Sequence, residues 1–287
     1  MLVLMKHGFL LINKPSGPTS HDCVAKVRYM LKEKKIGHLG TLDPAAEGLL
    51  VLAVGSKALK VVELYKDMTK EYQAHVFLGA VSTTYDREGV IEEFNLLPGV
   101  EMPIEMDIRN SIKSRFIGKI NQIPPAYSAI KVGGERAYRK MRQGRSVDLP
   151  PREVEIEACE IESYNYPDLT LNVKCGSGTY IRSLAHDLGH VLRCGGYLKA
   201  LKRTKVGDWS VEDSVPLEKA GWSNVVPLKE ILFDLPKVEL TDEQADDLCH
   251  GQNIVLGVEE DTIGWHEGLP IAILMPVDGM AHARKVF

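Results

Sequence analysis

Gly37-His38-Leu39-Gly40-Thr41-Leu42-Asp43-Pro44 is the stretch from which the rest of this 287-residue chain is best read. It has no hydrophobic period, and residues 37–48 carry three glycines, which predicts an exposed loop rather than a helix or strand. An Asp in a loop is ordinarily a turn former or a helix cap. Here Pro44 turns Asp43 away from the α region, so the carboxylate is presented from an extended backbone. The glycines allow tight turns and the close approach of a bulky partner.

Upstream, residues 9–13 read as a strand ended by Lys14-Pro15-Ser16-Gly17-Pro18. Ser20 then stands ahead of a helix with Val24, Val27 and Leu31 on one face. Downstream, residues 49–54 are an all-apolar strand, 58–65 a short helix, 72–78 an alternating strand and 108–116 a modest helix. Residues 120–152 hold two prolines near their start and two near their end, a Gly-Gly pair and many cations. They predict a long arm around a short helix at 135–142. Strands at 154–161 and 169–174 and a helix at 180–192 follow. After Phe233-Asp234-Leu235-Pro236 come an acidic helix (242–249) and strands at 271–275 and 280–286. Strands and helices mix without a regular strand–helix repeat, so the expected class is α+β with a mixed, mostly antiparallel sheet. The expected units are residues 1–233, with an insertion at about 120–152, and a small β-rich unit at 234–287.

Charge and cysteine usage narrow the function classes. The net charge is −4, yet residues 109–152 hold eleven Lys/Arg against two Asp/Glu, and residues 234–287 eleven Asp/Glu against three Lys/Arg. Such separation suits a polyanion partner on one part of the molecule. Five scattered cysteines without a CxxC pair argue against a disulfide framework and a structural zinc site, and favour a reducing cytoplasm. The longest apolar stretch, residues 48–55, is too short to span a bilayer. The start lacks the pattern of a secretory signal. His186 and His190 stand four apart on a predicted helix, as a zinc pair does. Asp187 and Gly189 replace the expected glutamate and no third ligand is evident, so a helix surface is the better reading. No glycine loop of a nucleotide-binding type is present.

Several blocks taken in order resemble the TruB-type pseudouridine synthases. Asn13-Lys14-Pro15 with Gly17 and Thr19-Ser20 is similar to the family's opening motif, and residues 37–44 to its catalytic loop. Lys70-Glu71-Tyr72 resembles the active-site tyrosine segment. Residues 124–131, Tyr138 and Arg142-Gln143-Gly144 resemble the RNA-gripping insertion. Gly178-Thr179-Tyr180-Ile181-Arg182 with Asp187-Leu188-Gly189 resembles the arginine motif, and Leu201-Lys202-Arg203 with Gly207 the block after it. The resemblance spans almost the whole chain. It implies the pseudouridine synthase fold with a PUA-like C-terminal domain, and isomerisation of a tRNA uridine, uridine 55 of the T-loop, without metal or cofactor. It further implies a single chain, a monomer, working with no obligatory protein partner. At Thr83 many relatives carry Asp, whereas Asp86 keeps the other acidic position.

The chemistry of the residues agrees. Isomerising uridine breaks a carbon–nitrogen bond, turns the base and makes a carbon–carbon bond. A carboxylate such as Asp43 can attack base or sugar and split the hard step. In the family Arg182 keeps that carboxylate ionised where desolvation opposes it. Tyr72 offers a face to stack on the base and a hydroxyl to move a proton. Tyr180, Ile181 and Leu201 are candidates for pocket walls, and burial as ordinary core is an equal reading for the last two. The target base must leave its stack, and His38 is placed to prop the vacated space. Lys14, Lys131, Arg136, Arg139, Arg142 and Arg145 are the expected RNA contacts, with Lys199, Lys202, Arg203 and Lys205 as a second basic patch. The rivals are a guide-RNA-dependent subunit of the same superfamily and an RNA-folding protein whose main role is not catalysis.

Overall fold

The computed structural model describes residues 7–94, 101–128 and 130–287, without the side chains of Lys131, Val132, Tyr138 and Arg142. It opens with β1 (Gly8–Lys14) and α1 (Ser20–Leu31). Thr19, one residue before the expected cap, starts α1. Its hydroxyl accepts from the Asp22 N–H and the Asp22 carboxylate accepts from the Thr19 N–H, a capping box that satisfies two orphan donors. Ser20 is thereby freed to turn its hydroxyl elsewhere. β2 (Ile36–His38), the Asp43 loop and β3 (Glu47–Val54) follow.

β3 is apolar along its length because both of its faces are covered. Leu49, Val51 and Ala53 enter one core with Phe9 and Leu11, and Leu50, Leu52 and Val54 enter another beneath α1 with Val24 and Val27. α2 (Ser56–Val61) closes the first of these cores. β4 (Lys70–Leu78) is buried on alternate residues, Tyr72, Ala74, Val76 and Leu78 facing inward, the pattern of a strand with one covered face. A hairpin of β5 (Ala80–Ser82) and β6 (Ile91–Glu93) comes next, then α3 (Glu105–Arg115) and β7 (Gly118–Gln122).

Residues 118–122 are thus a strand of the main sheet, and the arm is shorter than expected. It contains a small hairpin, β8 (Lys131–Val132) and β9 (Glu135–Arg136), and α4 (Ala137–Arg142). β10 (Arg152–Asn165), β11 (Asp168–Cys175), α5 (Ile181–Val191) and β12 (Gly196–Val206) complete the main frame. β12 has no counterpart in the expected strands, because its run of cations masks the period-two pattern. Short strands β13 (Trp209–Ser210), β14 (Val215–Pro216) and β15 (Val225–Pro227) and the turn α6 (Leu228–Ile231) wrap the edge. The eleven-stranded sheet runs β14-β1-β3-β12-β4-β11-β10-β7, with β2, β13 and β15 beside it. It is mixed: β1–β14 and β3–β12 are parallel, the other pairs antiparallel.

A second sheet of β16 (Lys237–Glu239), β17 (Thr262–His266), β18 (Leu269–Val277) and β19 (Met280–Val286) holds α7 (Asp242–Cys249). Ile263, Trp265 and Ile273 of this sheet enter the same core as Phe9, Leu49 and Val51. The composition change near residue 234 is therefore not a gap in the packing. Glu63, after α2, pairs with both Arg284 (3.1 Å) and Lys285 (2.7 Å) across the same contact. Among the described residues no helix is long and apolar enough to cross a membrane.

Candidate active site

Residues 39–46 have no regular structure, and three buried polar side chains fix them. Lys14, fully buried at the end of β1, donates all three ammonium hydrogens to backbone carbonyls: Pro15 (3.0 Å), Pro44 (3.0 Å) and Ala46 (2.6 Å). Ser20 grips Leu42 twice, accepting from its N–H at 2.8 Å and donating to its carbonyl at 2.9 Å. Arg203 on β12 reaches the carbonyls of Leu49 (2.7 Å), Gly40 (3.2 Å) and Thr41 (3.5 Å). Lys14, expected to contact substrate, thus has no donor left for one. Arg203, expected on a surface patch, is 2% exposed and points inward. Adjacent strand residues face opposite sides of a sheet, so of Lys202 and Arg203 one had to face the core. Gly48 has φ +101, and a Cβ there would lie 2.3 Å from the Arg203 carbonyl oxygen. Only glycine lets β12 come this close behind the loop.

So held, the loop delivers Asp43 to Arg182 in the first turn of α5. Arg182 Nε lies 2.9 Å from Asp43 Oδ2, off the N–H axis, so the contact is an ion pair rather than an aligned hydrogen bond. Arg182 Nη1 is 3.3 Å from Asp86 Oδ2, and Nη2 donates to the Tyr127 carbonyl at 3.1 Å. A cation at a helix N-terminus opposes the helix dipole, and the two carboxylates offset that cost. Asp86 is itself fixed, its Oδ1 accepting from the Thr84 hydroxyl and the Glu88 N–H. It is the one site residue that sequence reasoning noted but gave no role. Its partner becomes visible only when the β5–β6 turn meets α5.

The Asp43 side chain keeps 40% of its surface accessible and Arg182 only 7%, as for a carboxylate at the open end of a recess. Burial pushes the Asp43 pKa above the ordinary carboxylate value, Arg182 draws it back, and Asp86 pushes it up again. One guanidinium thus serves two carboxylates. Tyr72, buried on β4, has its phenol pushed upward chiefly by burial, so it is a neutral donor at pH 7. Tyr180, the residue before α5, is half-buried and shifted the same way. Its backbone is pinned by Gln122, which accepts from the Tyr180 N–H at 2.7 Å and donates to its carbonyl at 3.0 Å. Leu201 is partly buried against the core that holds Tyr72 and Ile181. His38 ends β2, half-buried, with Nδ1 enclosed and unpartnered. Burial lowers its pKa first, then the charges of His21 and Arg203, so the ring is neutral at pH 7.

The arm's cations stand apart from this cluster. Arg136 and Arg139 are exposed, and Arg145 pairs with Glu135 at 2.6 Å. Lys131 lies in β8 and Arg142 ends α4; their side chains lie outside the described residues. His186 does not assemble a zinc site: its ring stacks on Tyr85, and no group of three or more metal-ligating side chains occurs among the described residues.

The family model for the N-terminal domain of TruB family pseudouridylate synthases matches residues 28–181. That for the tRNA pseudouridylate synthase B C-terminal domain matches residues 182–220. The chain belongs to the TruB family. The two models meet between Ile181 and Arg182, inside the frame of the eleven-stranded sheet, so this TruB-family boundary divides sequence rather than packing. A protein of Xanthomonas oryzae pv. oryzae named tRNA pseudouridine synthase B is 43% identical over 98% of this chain and 94% of its own. One of the same name from Trichormus variabilis is 41% identical over 90% and 88%. The fold is similar to that of a chain in the crystal structure of a Cbf5-Nop10-Gar1 complex. The TM-score is 0.73 at 23% identity, covering 100% of this chain and 85% of that one.

Proposed function

We propose that this TruB-family chain converts uridine 55 in the T-arm of tRNA to pseudouridine, with Asp43 as the attacking carboxylate. The observation that carries the reading is Asp43 held against buried Arg182 on a backbone latched from three sides. A nucleophile needs a fixed attack geometry and an ionised form, and the latches and the guanidinium supply these two separately.

In this reading the uridine leaves its stack and enters the recess between Tyr72, Tyr180 and Leu201, and His38 occupies the space it leaves. Asp43 attacks the base or the sugar, the glycosidic bond breaks, the base turns, its carbon bonds to the sugar carbon, and the bond to Asp43 breaks to return the free carboxylate. Tyr72, a neutral phenol, relays the proton lost from the base carbon toward the freed base nitrogen, giving up its own proton as it takes that one. Arg136 and Arg139, with Lys131 and Arg142, hold the phosphate backbone of the T-arm. The chain acts in the cytoplasm, as a monomer and without a partner protein.

The test is single-turnover modification of unmodified tRNA by the purified chain, with the product mapped by position. Pseudouridine at position 55 that vanishes in Asp43→Asn, with tRNA affinity retained, is expected. Modification elsewhere only, or an active Asp43→Asn, overturns it.

A further inference from the structure

Asp86 lies 3.3 Å from Arg182, so a displacement of under about 1 Å takes the pair beyond the 4 Å reach of a salt bridge. What sets this distance is the seating of the β5–β6 turn on α5. The backbone on either side of Asp86 is tied to β12: the Leu198 N–H donates to the Tyr85 carbonyl at 2.9 Å, and the Arg87 N–H donates to the Leu198 carbonyl at 3.1 Å. Those bonds fix the turn to β12, on which α5 also packs, so turn and helix share one support; the direct contacts between them set the fine position of Asp86 against Arg182.

Besides Asp86, the turn meets the helix at two places: the Thr84 carbonyl accepts from Arg182 Nη1 at 3.4 Å, and Tyr85 packs on His186. The Tyr85 ring lies flat on His186, centroids 3.9 Å apart and planes within 10°. His186 follows Arg182 by four residues, so both project from the same face of α5. Neighbouring residues of the turn, Tyr85 and Asp86, thus meet neighbouring positions of that face. Tyr85 adopts φ 64, a left-handed conformation that a bulky aromatic residue keeps only where its surroundings hold it. Its N–H donates to the Ser82 carbonyl at 3.1 Å and its carbonyl accepts from the Leu198 N–H at 2.9 Å, and these bonds hold that backbone with the ring against the helix. Burial, and His190 beyond it, keep the His186 pKa below the ordinary value, so the imidazole is neutral and adds no charge beside Arg182.

The geometry points to Tyr85 and His186 as a positioning pair that sets the Asp86–Arg182–Asp43 chain in register, and through it the orientation of the attacking carboxylate. The inference rests on the reading of Asp43 as that carboxylate. Neither side chain touches the reacting atoms; both act through Asp86.

The test is a cycle of Tyr85→Ala, Tyr85→Phe and Asp86→Asn, read by single-turnover pseudouridine formation, tRNA affinity and thermal midpoint. Tyr85→Ala is expected to slow the chemical step about ten-fold with affinity within about two-fold, and Tyr85→Phe, which keeps the stack, to restore it. In the Asp86→Asn background Tyr85→Ala is expected to change the rate by less than about two-fold, since the route it acts through is already cut. A Tyr85→Ala protein at the wild-type rate, a Tyr85→Phe protein as slow as Tyr85→Ala, or an undiminished ten-fold loss in the Asp86→Asn background overturns the inference. Should Tyr85→Ala not fold, Tyr85→Leu, which keeps bulk without the stacked face, takes its place in the cycle. Asp43→Asn measured alongside separates the two readings: if it is inactive while Tyr85→Ala is at the wild-type rate, only the positioning role falls.

Discussion

The loop around Asp43 and the arm after β7 both lack regular structure for most of their length, yet they are built in opposite ways. Three buried polar side chains, from β1, α1 and β12, hold the loop, and every one of them ends on the loop's or its flanks' backbone. The arm is held at its root, where Gln122 grips Tyr180, Ser183 donates to the Ile123 carbonyl and Arg182 to that of Tyr127. Beyond that root its described cations face outward. Attack on one atom demands a carboxylate fixed to a fraction of an ångström. Gripping a phosphate backbone demands reach and charge, which tolerate variation in position. Where the cations point thus separates the two roles that the proposed function assigns them and that composition alone merges.

The sharpest way to break the comparison is to remove the group the loop exists to hold. Asp43→Asn is expected to reduce single-turnover modification by more than about a thousand-fold while tRNA affinity stays within a few-fold. The same variant is expected to raise the thermal midpoint at neutral pH. The folded protein holds the Asp43 proton more tightly than the unfolded chain does, so the ionised form weakens folding once the pH passes the raised folded value. The difference disappears below the ordinary carboxylate range, where both states are protonated. A midpoint lowered at neutral pH would mean that the ion pair with Arg182 outweighs the desolvation.

Cutting one latch comes next. Arg203→Met orphans buried carbonyls of the loop and is expected to cost about 2–4 kcal/mol in urea unfolding, with activity of the folded fraction down by about ten-fold. An unchanged activity would show that the loop is not positioned from β12. The arm should answer differently. Arg136→Ala with Arg139→Ala is expected to weaken tRNA binding by about ten-fold and to flatten the salt dependence by about one unit per lost phosphate contact, the unfolding midpoint staying unchanged. The smallest effect is on the acid limb of the pH–rate profile. Asp86 helps push the Asp43 pKa upward, so in Asp86→Asn the remaining activity should persist to lower pH than in the wild type.

Much of the frame is legible in the sequence because it rests on local patterns. α1, α5, α7 and β3, β4, β10, β11, β18 and β19 fall where period and punctuation put them, within a few residues at their ends. β12 does not, because its cations belong to two environments: Lys199 and Lys205 pair with Asp168 and Glu71 near the surface, while Arg203 is buried. Lys14 misleads for the same reason. A lysine beside a proline turn reads as exposed, and nothing local tells that the carbonyls of Pro44 and Ala46, far along the chain, will join that of Pro15 in enclosing it.

By itself the sequence determined that the chain around Asp43 is an irregular loop, since Pro44 and the glycines interrupt helix and strand patterns. It also determined that positive charge collects between residues 109 and 152. Only the tertiary structure decided which charges serve the loop and which are left for a polyanion. Burial is set by contacts between residues far apart in the chain, and desolvation makes a buried cation answer to the carbonyls around it. Asp43 meets Arg182, and through it Asp86, across that same distance, because the loop before β3, the β5–β6 turn and the first turn of α5 converge there.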